Sequence, residues 1–413
     1  MIIKRDYYLQ QLISSKSNNL IKIVTGIRRS GKSFLLFNLF HNHLIETGIS
    51  EDHIIEIALD DRLNKNLRDP DVILRHIHER IVDDKLYYII LDEVQMIDEF
   101  TDVLNSLLHI RNADVYVTGS NSKFLSKDVA TEFRGRGDEI HLFPLSFAEL
   151  YNSVGGDKFE LWKSYYTYGG LPGILELDSD KKKAAYLRSL HETVYLKDII
   201  ERNNLKNSEE FMELMRVMAS CIGSPCNPSK LENTFKSVKN ETLDRKTISK
   251  YLSYMEDAFL IEKSMRYDIK GRKYIGTLSK YYFQDIGLRN ALLNFRQVEE
   301  NHIMENVIYN ELRLRGFCVD VGMVEARTAK ERKQLEVDFV ANMADRRYYI
   351  QSAFAMPDDA KREQECASLK RIDDSFKKII IMRDDIKPYH DNNGFYIVGL
   401  MDFLLKPDLM EQL

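Results

Sequence analysis

Cysteine is scarce in this 413-residue chain: Cys221, Cys226, Cys318 and Cys366 are the only four, and none is set in C-x-x-C spacing. A disulfide framework and a thiolate zinc site are therefore excluded as organising principles, and reduced thiols in a cytoplasmic setting are expected. Cys221 and Cys226 flank a Gly-Ser-Pro turn, where packing is the expected role. Long apolar runs are missing too. No stretch approaches the roughly 18 residues of a membrane-spanning helix, and Lys4, Arg5 and Asp6 stand where a secretory signal would need apolar residues. No membrane association is expected. Nor is there a surplus of positive charge: 59 Lys and Arg against 64 Asp and Glu give a net charge of -5. A uniformly basic nucleic-acid coat is thereby excluded, and any polyanion site must be local. What remains is 44% hydrophobic and 30% charged, the composition of a globular chain with room for roughly two to four domains.

The most informative stretch is Gly26-Ile27-Arg28-Arg29-Ser30-Gly31-Lys32-Ser33, which fits G-x-x-x-x-G-K-S/T after an apolar, strand-like run from Leu20 to Thr25. Phe34-Leu35-Leu36-Phe37 continues at helical spacing, so the loop delivers its backbone N–H groups to a helix N-terminus carrying roughly +0.5 charge. Anionic phosphate is stabilised there. Lys32 is expected to reach the β- and γ-phosphates of a nucleoside triphosphate and Ser33 to ligate Mg²⁺, with Gly26 through Phe34 as the binding segment. Downstream, Leu86-Tyr87-Tyr88-Ile89-Ile90-Leu91 ends in Asp92-Glu93. An apolar strand ending in two carboxylates matches a Walker B element, with Asp92 for the metal and Glu93 for polarising the attacking water.

Five apolar runs alternate with helical patterns in the first third of the chain: Leu20 to Thr25, Ile54 to Leu59, Tyr87 to Leu91, Val115 to Thr118, and Ile140 to Phe143. That alternation predicts an α/β fold with a mainly parallel sheet. The fourth run leads into Gly119-Ser120-Asn121-Ser122. Ser120 or Asn121 could sense the γ-phosphate, or the segment could simply cap the next helix. Arg134 and Arg136 follow; each is a candidate to reach a neighbouring subunit's nucleotide as an arginine finger, or to be an ordinary solvated arginine.

With these motifs in hand, the chain resembles bacterial and archaeal AAA-type ATP-binding proteins whose ATPase domain precedes a region of unassigned function. The carrying residues are the Thr25–Ser33 loop, Leu91-Asp92-Glu93-Val94-Gln95, Thr118 to Ser122, Gly135-Arg136, Pro144-Leu145-Ser146-Phe147 and Tyr168-Gly169-Gly170-Leu171-Pro172. Within P-loop ATPases the resemblance is to the additional-strand class, and it implies strand order 5-1-4-3-2, adenine as the base, residues Arg5 to Tyr8 near that base, and a homo-oligomer as one form of assembly.

The resemblance also implies a division into a P-loop core (1–150), a helical lid (151–205), a winged helix-turn-helix (206–284) and a last domain (285–413). Lys197 and Arg202 in the lid could contact phosphate or lie on a solvated helix face. In the third segment two short helical patterns precede a strand-like run from Leu260 to Tyr267 and the basic turn Lys270-Gly271-Arg272-Lys273. From Pro228 to Tyr282 there are 12 Lys and Arg against 7 Asp and Glu. Arg245, Lys246, Lys250, Lys270, Arg272 and Lys273 are therefore candidate DNA contacts, although winged helices also dock proteins.

The last segment looks like a restriction-endonuclease-like core of the PD-(D/E)xK class. A helix carries Glu305, one strand carries Asp338, and the next carries Gln351-Ser352-Ala353. Asp338 matches the first acid and Gln351 a tolerated variant of the second, but Ala353 stands in the lysine's place. A methyl group supplies neither proton nor charge, so nuclease activity is not expected unless Lys361 swings in from the next helix. The expected function is ATP binding with Mg²⁺-dependent hydrolysis, coupled to engagement of a partner. The alternative is an ATP-dependent DNA- or protein-binding switch with little turnover.

Overall fold

A computed structural model describes residues 3–120, 135–239, 243–327 and 332–412. The chain divides into two compact units, Met1–Pro144 with Asp257–Phe259, and Leu145–Glu256 with Leu260–Leu413. Among the described residues no helix is long and apolar enough to cross a membrane.

The first unit is built on β1 (Ile21–Thr25), β2 (Ile54–Ala58), β3 (Tyr87–Asp92), β4 (Ala113–Gly119) and β5 (Gly137–His141). All are parallel, in the order β2-β3-β4-β1-β5, which is the expected 5-1-4-3-2 counted from the other edge. The unit thus has a P-loop AAA-type core. Continuous apolar strands are required because both faces of the sheet are covered. Ile21, Ile23, Ile55, Ile57, Ile89, Leu91, Val115 and Val117 pack with Ile73, Ile77, Val103 and Leu104 on one face. Val24, Tyr88, Ile90, Tyr116 and Ile140 pack with Leu35, Leu36, Phe40 and Leu44 on the other. Each fully buried aliphatic side chain contributes roughly 1.5–3 kcal/mol. The alternation of faces along each strand follows from the two-residue period of the extended chain.

In the second unit, helices dominate up to Arg245–Asp257 and strands follow: β6 (Ile261–Asp268), β7 (Lys273–Phe283), β8 (Cys318–Arg327), β9 (Arg332–Met343), β10 (Arg346–Ala353), β11 (Lys377–Met382), β12 (Tyr389–His390) and β13 (Tyr396–Gly399). They form one sheet, β12-β13-β11-β10-β9-β8-β6-β7. Strands β8, β9 and β10 run antiparallel, whereas β11 is parallel to β10. The hairpin β6–β7 joins through a short parallel pairing of Arg266–Asp268 with Val321–Met323.

Asp285 fixes the helical part of this unit. Its buried carboxylate caps the helix Ile286–Leu292 through the Leu288 N–H at 2.9 Å and takes the Gly170 N–H at 2.8 Å. The glycines are required by that closeness. A Cβ on Gly170 would lie 2.2 Å from the Leu145 carbonyl oxygen, and one on Gly287 would lie 2.0 Å from that of Tyr168.

Candidate nucleotide site

The phosphate-binding loop lies between β1 and a helix that begins with Lys32–Phe34 and continues through Leu35–Phe40 and His41–Glu46. Gly26 has φ +138°, and a Cβ there would lie 2.2 Å from the Leu142 carbonyl oxygen, so only glycine fits the turn. Gly31 has φ +99° at the helix N-cap. Lys32 is buried, and its ammonium donates to the Gly26 and Ile27 carbonyls at 3.0 and 3.2 Å. Burial pulls its pKa below the ordinary lysine value, while Glu93 and Asp92 oppose that shift. Arg5 braces the same loop from outside, donating to the Ser30 carbonyl at 3.2 Å and the Phe143 carbonyl at 2.7 Å and stacking 4.6 Å over the Tyr8 ring. Arg5 and Tyr8 therefore tie the chain's start to the loop's backbone.

Asp92 ends β3 in a buried position. Its carboxylate accepts from Ser33 Oγ at 2.8 Å and from Thr118 Oγ1 at 2.5 Å. Burial raises its pKa, and the two hydroxyl donors partly counter that. One residue on, Glu93 has φ +54°, an uncommon conformation for a residue with a side chain and the kind found at functional turns. Its N–H donates to Thr118 Oγ1 at 2.8 Å, and its carboxylate accepts from Ser120 Oγ at 2.9 Å and from the Gln95 amide. Arg28 Nε completes the chain of contacts by donating to Ser120 Oγ at 3.3 Å.

The structure thus brings Lys32, Ser33, Asp92 and Glu93 together, with Ser120 beside them. Asn121 and Arg134 lie outside the described residues. Arg136 does not join this cluster. It is exposed, its carbonyl accepts from the Ile21 N–H at 2.9 Å, and its guanidinium donates to Asn105 at 3.3 Å. Ile21 begins β1, so Arg136 is at the end of the sheet away from the loop that follows Thr25. Arg29 is exposed as well, at φ +65°.

Sequence reasoning missed the bridging role of Thr118 and the grip of Gln95 on Glu93. The first depends on register: the pairing of β3 with β4 ends at Leu91 and Val117, which sets Asp92 and Thr118 side by side, and no signal in the sequence gives that register.

Among the other candidates, Lys197 and Arg202 pair along their own helix with Glu201 and Asp198. Arg245, Lys246, Lys250, Lys270, Arg272 and Lys273 are all exposed. Cys221 and Cys226 are both free thiols. Ala353 is buried in an apolar cluster with Tyr349 and Ile380. Lys361 pairs with Glu365 at 2.6 Å on its own helix, so it does not supply the absent lysine. Glu305 is not a freely solvated helix acid: Lys280 and Tyr282 reach its Oε1 at 2.8 and 2.7 Å.

Residues 18–151 match the family described as "AAA domain", and residues 159–299 match a "Domain of unknown function (DUF8612)". A protein of Haemophilus influenzae, described as "Uncharacterized protein", is 33% identical over 98% of this chain and 99% of its own. The chain belongs to that protein's family, and its first unit is an AAA-type ATP-binding domain. A second relative, also described as uncharacterized and from Methanocaldococcus jannaschii, is 29% identical over 90% of this chain and 82% of its own. Among solved structures, the Aeropyrum pernix Orc1 protein in complex with DNA overlaps 71% of this chain and 92% of its own at 14% identity and a TM-score of 0.31. A likeness of that size speaks to neither activity nor partner.

Proposed function

We propose that the protein binds ATP with Mg²⁺, hydrolyses it, and uses the cycle to control engagement of a partner by its C-terminal half. The observation that carries this reading is the convergence of Lys32, Ser33, Asp92 and Glu93 at the mouth of one parallel sheet. The donor set fits Mg²⁺: the Ser33 hydroxyl and the Asp92 carboxylate are hard oxygen ligands already in contact. Bound there, the ion would neutralise phosphate charge. Lys32 would exchange its two loop carbonyls for phosphate oxygens, and Glu93 would accept a proton from the attacking water. Ser120 and Gln95 hold the Glu93 carboxylate, so the base acts once that grip is loosened. Arg136, remote from its own loop, acts in this scheme only on a neighbouring subunit. The test is Glu93→Gln, which should keep ATP affinity while lowering phosphate release by roughly 100-fold or more. Unchanged release would remove Glu93 from the chemistry.

The C-terminal half is, in this proposal, a helical lid, a winged helix and a nuclease-like domain that does not cut. Its order of helix Glu300–Leu314, antiparallel β8–β9–β10, helix Asp359–Cys366 and parallel β11 supports the last. A second reading, an ATP-dependent switch on DNA, draws support from the exposed cations of Arg245–Asp257 and of the turn at Lys270 to Lys273. ATPase rates with and without duplex DNA separate the two. Stimulation by DNA favours the hydrolysis-driven cycle, and slow turnover with ATP-dependent retention on DNA favours the switch.

A further inference from the structure

The second unit buries a lysine where its strand pattern would lead one to look for a metal ion. Lys280, on β7, is 3% exposed and points its ammonium into three carboxylates: Glu305 from the helix Glu300–Leu314 at 2.8 Å, Glu336 at 2.7 Å and Asp338 at 3.9 Å, both from β9. The surrounding hydrogen bonds are also in place. Tyr282 donates to Glu305 Oε1 at 2.7 Å, and the Ser352 N–H donates to Asp338 Oδ2 at 2.8 Å. The pairing of β8 with β9 shifts between Asp320 and Gly322, leaving Asp338 and Phe339 opposite one residue. Bulges of this kind re-aim side chains next to functional sites.

We propose that the Glu305–Glu336–Asp338 pocket is a divalent-cation site whose resident cation is the Lys280 ammonium, so that this module holds its shape without metal and cuts nothing. The inference rests on the nuclease-like reading of these strands. An ammonium carries three donors and a full positive charge, and here those donors meet acids from one helix and one strand, as an ion would. Burial opposes a charged Lys280, but Glu305, Asp338 and Glu336 more than offset it and hold its pKa above the ordinary lysine value. Among the described residues no three acidic or imidazole groups lie close enough together to chelate an ion by themselves. These three meet through the lysine rather than through each other.

Lys280 also has a structural duty: it ties the hairpin β6–β7 to the helix and strand that carry the acids.

The test is Mn²⁺ binding, measured by electron paramagnetic resonance and thermal shift on the full chain without nucleotide. An Asp92→Asn background removes the carboxylate ligand of the first unit's metal site. That parent should bind no Mn²⁺ in the second unit. Adding Lys280→Ala, or Lys280→Met to preserve packing, should create a site for about one Mn²⁺ per chain and a Mn²⁺-dependent rise in melting temperature. Adding Glu305→Gln or Asp338→Asn to those variants should abolish both. The proposal is overturned if the parent binds Mn²⁺ in a way that Glu305→Gln removes. It is also overturned if neither Lys280 variant binds Mn²⁺ or, having lost its fold, regains it with Mn²⁺. The nuclease-like reading fails separately, on an experimental structure in which the acids belong to a different strand order.

Discussion

Ser33 Oγ donates a 2.8 Å hydrogen bond to Asp92 Oδ2, joining the first turn of the helix after the phosphate loop to the tip of β3. The contact lets one ion touch both side chains without either moving far. Asp92 is buried, and its pKa is raised chiefly by burial, so a cation at this point also relieves the cost of keeping the carboxylate charged. Mg²⁺ should therefore tighten ATP binding by about tenfold or more, equivalent to at least about 1.4 kcal/mol. Ser33→Ala and Asp92→Asn should each flatten that difference. Titration of a fluorescent ATP analogue with Mg²⁺ and with EDTA measures it, and a Mg²⁺ effect that survives both substitutions would place the ion elsewhere.

The Walker elements were legible because each is local: Gly26 to Ser33 is one turn, and Asp92-Glu93 ends one apolar run. The strand order was implied by resemblance rather than by spacing, since right-handed crossovers limit the topologies without choosing one. What the sequence hid was pairing at a distance. Nothing near Thr118 announces that its hydroxyl serves both Asp92 and the Glu93 amide. The three-residue pairing of β6 with β8 has no periodic signature, so the sheet shared by the hairpin and the last strands could not be read. Lys280 looked like one more cation in a basic segment, because its acids lie on elements that only the fold brings near.

Asp285 makes the run Tyr168-Gly169-Gly170-Leu171-Pro172 intelligible as a packing motif rather than a chemical one. Its carboxylate takes N–H groups from the helix it caps and from Gly170, all inside the second unit. Asp285→Ala would strand those donors in a buried place, and a loss of about 3 kcal/mol is expected from the cap and the orphaned amides together. Asp285→Asn, which keeps one acceptor oxygen, should lose less. Calorimetry should show the second unit's transition moving down with ATP binding retained. Equal effects of Ala and Asn would mean that charge, not acceptor geometry, holds this junction.

His191 gives the second unit a predictable response to acid. The ring is buried, its Nε2 has no hydrogen-bond partner, and burial, followed by the nearby charge of Arg216, lowers its pKa from 6.5 to about 4. Between those values the unfolded chain takes a proton that the folded chain refuses. Its contribution to stability is therefore fully present above pH 6.5 and is lost as pH falls toward 4, by about 3 kcal/mol at most. Asp285 pulls the other way, because burial pushes its pKa up to about 6 and the folded chain then holds a proton that the unfolded chain releases. A single melting curve would mix the two slopes, so the informative quantity is a difference. His191→Leu removes the ring's titration and leaves Asp285 in place. The melting temperature of the variant relative to the parent should be constant above pH 6.5 and should rise steadily as pH falls from 6.5 to 4.5. Parallel curves across that window would show that the His191 ring is protonated in the folded state and has found a partner or solvent there.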